Sequence, residues 1–358
     1  MEEIQMKKFG LPVIAALAMS ANLSFATDLV YTANQNDNTV SIINADDMTK
    51  VGDLKLGLPA GDAKIFSPLY NGQINVHGLS YSPERHELAV VSTVTNSVVF
   101  VDSQTGNVKR TVYVGRNPHE PRYNNGEVWV TVRGENHVAV VNPDNGEITR
   151  KIELSSGPGM VTFGNDGHYA YVSSSFNDDF WIVDTASKDI VKTLKMPSNF
   201  SPFLNTSPDG KEVWVGHKDN GHVTRINTKT MDIIETFETG KVSNHLTFAN
   251  NKVYVTVGGE NKINVYSYGT DKTKLLKTIK TETLPHGIWG SEDGKYVYYV
   301  NELSGTAQVI DTSNDSVIKK FEIGALPQAL VFAKDATDNV DLVKENISKD
   351  VTFRGPRK

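Results

Sequence analysis

The sequence predicts an all-β protein: a seven-bladed β-propeller, a closed ring of four-stranded blades. Three observations carry that prediction. One order of segments recurs along the chain from His77, His119, Gly159, Pro202, His245, His286 and Gln328, at spacings of 42, 40, 43, 43, 41 and 42 residues. Each copy divides into four short strands, and units of roughly 40–45 residues with four strands each are propeller blades. Finally, the first copy lacks its opening strand, which the end of the chain supplies.

In chain order, Met1–Ala26 reads as a secretory leader. Lys7-Lys8 precedes an apolar stretch from Phe9 to Leu23, and Ser24-Phe25-Ala26 offers small residues for cleavage before Thr27. The stretch is interrupted by Pro12, Ser20 and Asn22 and is too short for a stable membrane span. Residues 27–334 then form the propeller, and residues 335–358 read as a polar tail. The expected location is the periplasm or the secreted fraction, as a monomer without a membrane span.

Within a blade, an inner apolar strand such as Met160–Phe163 leads through an Asp-Gly or Asn-Asn turn to an alternating strand such as Val128–Val132. A third strand ends on Asp or Asn, as in Phe180–Asp184, and a fourth finishes near Gly, as in Val317–Gly324. Short runs rich in Val, Ile, Tyr and Thr between turn residues are strand signals. Two ladders fix the register. Asn38, Asn96, Asn136, Asp178, Gly221, Asn261 and Gly305 stand where a tight hairpin demands positive φ. Asn44, Asp102, Asn142, Asp184, Asn227 and Asp311 end third strands and suit Asx-type turn caps, with Ser267 in the seventh place. Leu29–Ala33 matches a second strand, so Pro327–Ala333 must close the ring and leave no open sheet edge. Between blades 1 and 2 an insertion, roughly Leu58–Asn75, carries Pro59, Asp62, Lys64, Pro68 and Tyr70.

Composition narrows the chemistry. The 358 residues include no cysteine, which excludes disulfides, thiolate catalysis, zinc-thiolate sites, iron–sulfur clusters and covalently attached haem. The net charge of −6, without runs of Lys or Arg, argues against nucleic-acid binding. No nucleophile elbow, phosphate-binding loop, dinucleotide fingerprint or HExxH metal motif occurs. Trp129, Trp181, Trp214 and Trp289 all fall inside strands and are expected in the packing between blades.

The motifs Val130-Thr-Val132, Tyr171-Val-Ser173, Tyr254-Val-Thr-Val257 and Tyr31-Thr-Ala-Asn34 resemble the YVTN-repeat family of exported β-propellers, over essentially all of residues 28–333. Ser207-Pro-Asp-Gly-Lys211 and Pro285-His-Gly287 fit the same pattern. Propellers of this kind are similar to the haem-carrying, cytochrome-d1-like domain of nitrite reductases, to haem-maturation proteins and to copper oxidoreductases with an axial metal. Other members are plain binding or scaffold modules, so the resemblance fixes fold more than function.

Four of the nine histidines, His77, His119, His245 and His286, share one blade position at the start of the innermost strand. They are expected around one mouth of the central channel, where propeller ligand sites form from converging loops. Neutral imidazole is a good ligand for copper, zinc, nickel or haem iron. One reading is therefore a metal site on these histidines, for copper, or a haem-type tetrapyrrole laid across the mouth, with a redox or cofactor-maturation role. Ordinary imidazoles would release a metal below about pH 6. Gln328 completes the arc from His286 to His77, while Arg122 and Arg133 suit a carboxylate, phosphate or propionate of a bound cofactor. Glu120, Glu135, Lys218, Glu260, Lys262 and Glu302 are further charged candidates near the same face. The competing reading is a scaffold propeller whose wet, polar channel mouth presents a surface to a small anionic ligand or a protein partner.

Overall fold

The computed structural model describes residues 26–354, so the expected leader lies, apart from Ala26, outside the described residues. Within them the chain forms seven antiparallel four-stranded sheets. Blade 1 joins Thr27–Lys55 to Pro327–Thr337. Blades 2 to 7 follow as Val76–Tyr113, Pro118–Glu153, Pro158–Lys195, Phe203–Glu238, Ser243–Lys280 and Pro285–Glu322. The first strand of each blade packs against the first strands of its two neighbours, and the seven together line the axis. This is the seven-bladed propeller that the repeat predicts.

Burial follows from the stacking. Blades cover one another on both faces, so their middle strands read as continuous apolar runs, as strands buried on both sides should. Glu127–Val132 and Asp179–Asp184 are almost wholly buried, whereas the outer strands Val108–Tyr113 and Ile233–Glu238 are largely open. Trp129, Trp181 and Trp214 fill the packing between blades. Trp289 differs: it is only partly buried, packing against the cores beside blades 7 and 1 and also lining a cavity at the end of the channel.

Both turn ladders have their expected physical basis. Asn38, Asn96, Asn136, Gly221, Asn261 and Gly305 hold φ between 50° and 72°. Asp178 is absent from this left-handed set and pairs with Lys195 at 2.7 Å instead. Each of Asn44, Asp102, Asn142, Asp184, Asn227 and Asp311 accepts a backbone N–H from two or three residues onward through its side-chain oxygen.

Closure is antiparallel, pairing Leu29 with Ala333, Val30 with Phe332 and Tyr31 with Val331. The closing strand runs on to Thr337, and the segment read as a polar tail contains a helix, α1 (Val340–Ile347). Asn339 caps it by accepting the Leu342 N–H, and its buried Val343 and Ile347 lie against blades 1 and 2. A Cβ at Gly52 would stand 2.9 Å from Ile347 Cδ1, so glycine there leaves room for the helix. In the insertion, the buried Tyr70 hydroxyl accepts the Leu58 N–H at 2.9 Å and donates to the Gln73 carbonyl at 3.0 Å. Among the described residues no helix is long and apolar enough to cross a membrane.

Two truncations separate closure from the added helix. Ending the chain after Gly324 removes the innermost strand of blade 1 and exposes sheet edges and core, so cooperative unfolding should be lost. Ending it after Asp338 leaves the closing strand whole and removes α1, whose two buried side chains contribute about 1.5–3 kcal/mol each, together with Phe353, which packs on Tyr70 of the insertion. The second protein should still melt cooperatively, several degrees lower, in differential scanning calorimetry.

Candidate functional site: the histidine-lined channel mouth

The repeating position is set by a backbone irregularity. In the innermost strands the ladder register shifts between Val76 and Leu79, Pro118 and Pro121, Pro158 and Val161, Ser243 and Leu246, and Pro285 and Ile288. A bulge re-aims side chains and leaves a residue out of the ladder. Here it falls on the residues that carry His77, His119, Gly159, His245 and His286, at one end of the channel.

Carbonyls at this repeating position are taken up across the blade boundary. Thr131 Oγ1 donates to the Gly159 carbonyl at 2.8 Å, Ser173 Oγ to that of Pro202 at 3.0 Å, and Thr256 Oγ1 to that of His286 at 2.7 Å. These hydroxyls belong to the repeated strand motif, whose Thr or Ser therefore works as a latch between neighbouring blades. Two histidines do the same: Nδ1 of His119 donates to the Gly159 carbonyl at 2.8 Å, and Nδ1 of His286 to that of Gln328 at 2.6 Å. A carbonyl can only accept, so both rings carry their proton on Nδ1 and leave Nε2 as the lone pair. Gln328 thus contributes its backbone oxygen to the arc.

The four rings gather as two pairs. His77 and His119 lie 4.7 Å apart between centroids, and His245 and His286 lie 5.1 Å apart. Phe203 fills the second pair, 4.2 Å from His245 and 5.5 Å from His286. Among the described residues no group of three His, Asp or Glu side chains gathers closely enough to hold one ion.

Electrostatics at the mouth favour negative charge. Burial holds His77 down to about 3, with Arg133 and Lys218 adding to the effect. Burial likewise holds His119, His245 and His286 well below the usual imidazole range; Arg133 adds to it at His119, and Lys218 at the other two. All four are neutral near pH 7, and the ordinary value near 6.5 does not apply to them. Burial lowers Arg133 to about 10 and also lowers Lys218, leaving both cationic. Neither side chain has an ion-pair partner within 4.0 Å among the described residues, and the buried Nε of Arg133 has no hydrogen-bond partner. The Lys218 ammonium rests 5.5 Å from the Phe203 ring centroid. Two unneutralised cations beside paired imidazoles fit a bare copper or zinc ion poorly.

Arg122 sits elsewhere. It is three residues farther down its strand, 3.3 Å from the buried Glu120 carboxylate and 4.7 Å over the Trp289 ring, where it lines the cavity at the other end of the channel. Burial pushes Glu120 up to about 7 against the pull of Arg122. Of the other candidates, Glu260 pairs with Lys262 at 2.8 Å and Glu135 accepts the Arg116 N–H at 2.8 Å, both on the rim. Glu302 is near enough to Lys218 to oppose its lowering. His217 is fully buried, bonded to Ser201 and Thr224 at 2.7 Å each, and serves packing. Phe203 escaped the sequence reading. Its one signal is its place directly after Pro202, the blade-5 counterpart of the histidines.

No known family profile matches the chain. The uncharacterized protein YncE of Salmonella typhimurium is 29% identical over 93 residues, 25% of this chain and 26% of that protein. Antigen Lp49 of Leptospira interrogans is 29% identical over 190 residues, 46% of this chain and 41% of that protein. The chain therefore matches well under half of the length of these relatives. Among solved structures, hydrazine synthase of Kuenenia stuttgartiensis superposes with a TM-score of 0.67 at 18% identity, covering 84% of this chain and 99% of that one. The periplasmic gluconolactonase of Pseudomonas aeruginosa gives 0.69 at 15% identity, covering 86% and 99%. At such identities the likeness is one of fold.

Proposed function

We propose that this propeller binds a small organic anion, a carboxylate or phosphate compound, at the histidine-lined mouth. The observation that carries this is Arg133, a largely buried guanidinium with a buried Nε left without an acceptor and no carboxylate to neutralise it. A buried unpaired charge is costly, and an incoming oxyanion would remove that cost through charge-assisted bonds. Lys218 provides a second cation, and the neutral imidazoles provide donors, acceptors and flat apolar walls. The solved neighbours differ in named activity, hydrazine synthase beside gluconolactonase, so the fold leaves the choice of ligand to these side chains.

A tetrapyrrole carries carboxylates too. Arg133 and Lys218 would hold its propionates, and His119 or His286, whose Nδ1 is engaged, would offer Nε2 to its iron. Its visible absorption separates it from a colourless acid in protein purified from its native host.

Screening small dicarboxylates and organic phosphates by thermal shift, then calorimetry, should find saturable ligands that raise the melting temperature. Arg133→Gln and Lys218→Gln should each weaken the best ligand by about tenfold or more, as expected for hydrogen bonds to charged groups. Equal affinity in all three proteins would remove the mouth as the site. Copper or zinc bound stoichiometrically and lost in His77→Gln/His286→Gln would replace the anion with a metal.

Stability should depend on pH through the same rings. Unfolded imidazoles take up protons from about pH 6.5 downward, whereas His77 in the fold resists until about 3. Below 6.5 the unfolded chain binds more protons, so stability is lost as pH falls through that window. The melting temperature should drop between about pH 6.5 and pH 4, and less steeply in His77→Gln. Carboxylate affinity should stay nearly level from about pH 8 to 5.5, since the imidazoles remain neutral and the cations charged, whereas a phosphate monoester itself takes up a proton near pH 6.

A further inference from the structure

On the opposite face, where blades 7 and 1 meet, a cavity of about 440 Å³ has the reverse character. The loop after Gly290 and the turn after Asn44 bring Glu292, Asp293 and Asp46 to its wall, and Asp28 enters from the start of blade 1. Glu292 is answered by Lys334 at 3.4 Å and Asp293 by Lys295 at 2.9 Å. Asp28 and Asp46 have no cation within 4.0 Å among the described residues. The Asp28 carboxylate accepts the Asp335 N–H, at 2.7 Å, and Asp335 brings another carboxylate close. Burial raises both Asp28 and Asp46 above the ordinary carboxylate range, with neighbouring acids adding to it.

A second, independent observation marks this as more than an acidic surface. Tyr298 lines the cavity and is 1% exposed, yet its hydroxyl has no hydrogen-bond partner. A buried phenol without a partner gives up a bond that water or a ligand would supply. Burial pushes this phenol up, with Tyr296 and then Asp28, Asp46 and Asp293, which line the same cavity, adding to it. Its ring lies 5.9 Å from that of Phe332, and Tyr296 completes an aromatic wall.

Unpaired carboxylates, an orphan hydroxyl and aromatic rings around a cavity are the elements that recognise an alkylammonium ion: charge-assisted acceptors for N–H and ring faces for the cation and its methylenes. An inorganic ion is matched less well, since no three acids are grouped at ion-holding spacing among the described residues. We infer that the cavity between blades 7 and 1 is a binding site for a small aliphatic diamine, its ammonium groups held by Asp28 and Asp46 with the Tyr298 hydroxyl as a further acceptor.

Calorimetry with 1,4-diaminobutane at about physiological ionic strength tests this on the full chain. Saturable one-to-one binding is expected, with none for 1,4-butanediol, which has the same length and no charge. Asp28→Asn/Asp46→Asn should weaken binding at least about tenfold, and Tyr298→Phe by several-fold with an unchanged melting temperature. Arg133→Gln, at the far mouth, should bind the diamine like the parent protein, which separates this site from the anion site. Absence of saturable binding, equal affinity in the Asp28→Asn/Asp46→Asn protein, or displacement of the diamine by an equal concentration of calcium would each overturn the assignment.

Discussion

The ring depends on how each innermost strand is tied to the next. A bulge at the same point in blades 2, 3, 4, 6 and 7 takes a residue out of its own ladder. The cost of the freed carbonyl is offset only if a neighbour donates to it. Thr131 and Thr256 make that donation across blade boundaries, Ser173 does the same for the Pro202 carbonyl of blade 5, and the Nδ1 groups of His119 and His286 make it from the mouth itself. The same contacts that hold neighbouring blades in register therefore also fix the tautomer and orientation of two of the histidines. Packing and site are one network here, not a scaffold with a separate decoration.

Most of the fold was legible because its signals are backbone requirements. Only a few residue types tolerate φ near +55°, so the Asn/Gly ladder announces its hairpins wherever it recurs. The side-chain caps at the third-strand ends are equally local. Asp178 broke the ladder because an ion pair to Lys195 was available in its place. Helix α1 was hidden for the opposite reason. Val343 and Ile347 are the two buried positions of a helix in a largely polar segment, and the gaps left at Gly52 and Gly106 receive them.

The period brings His77, His119, His245 and His286 to one height, since position along a blade maps directly to height along the axis. What the period could not give was distance around the axis. The rings meet as two pairs, with Phe203 wedged beside one of them, and Arg122 turns down the channel while Arg133 reaches the mouth. Charge state was also out of reach, because it comes from burial and from the absence of a counter-charge, neither of which a sequence position records. The two ends of the molecule consequently differ in sign, with Arg133 and Lys218 lacking an ion-pair partner at the histidine mouth and Asp28 and Asp46 lacking one between blades 7 and 1 on the other face, among the described residues.

The most direct test of the central claim is nitrogen-15 NMR of the histidine side chains, recorded against pH and then with added organic anion. The rings of His77, His119, His245 and His286 should keep the chemical shifts of neutral imidazole down to about pH 5, with His119 and His286 protonated on Nδ1. Addition of a bound anion should then shift these resonances while the exposed ring of His168 stays still. Ordinary titration of the four rings near pH 6.5, or anion-induced shifts confined to other histidines, would contradict a neutral, cation-flanked mouth built to receive negative charge.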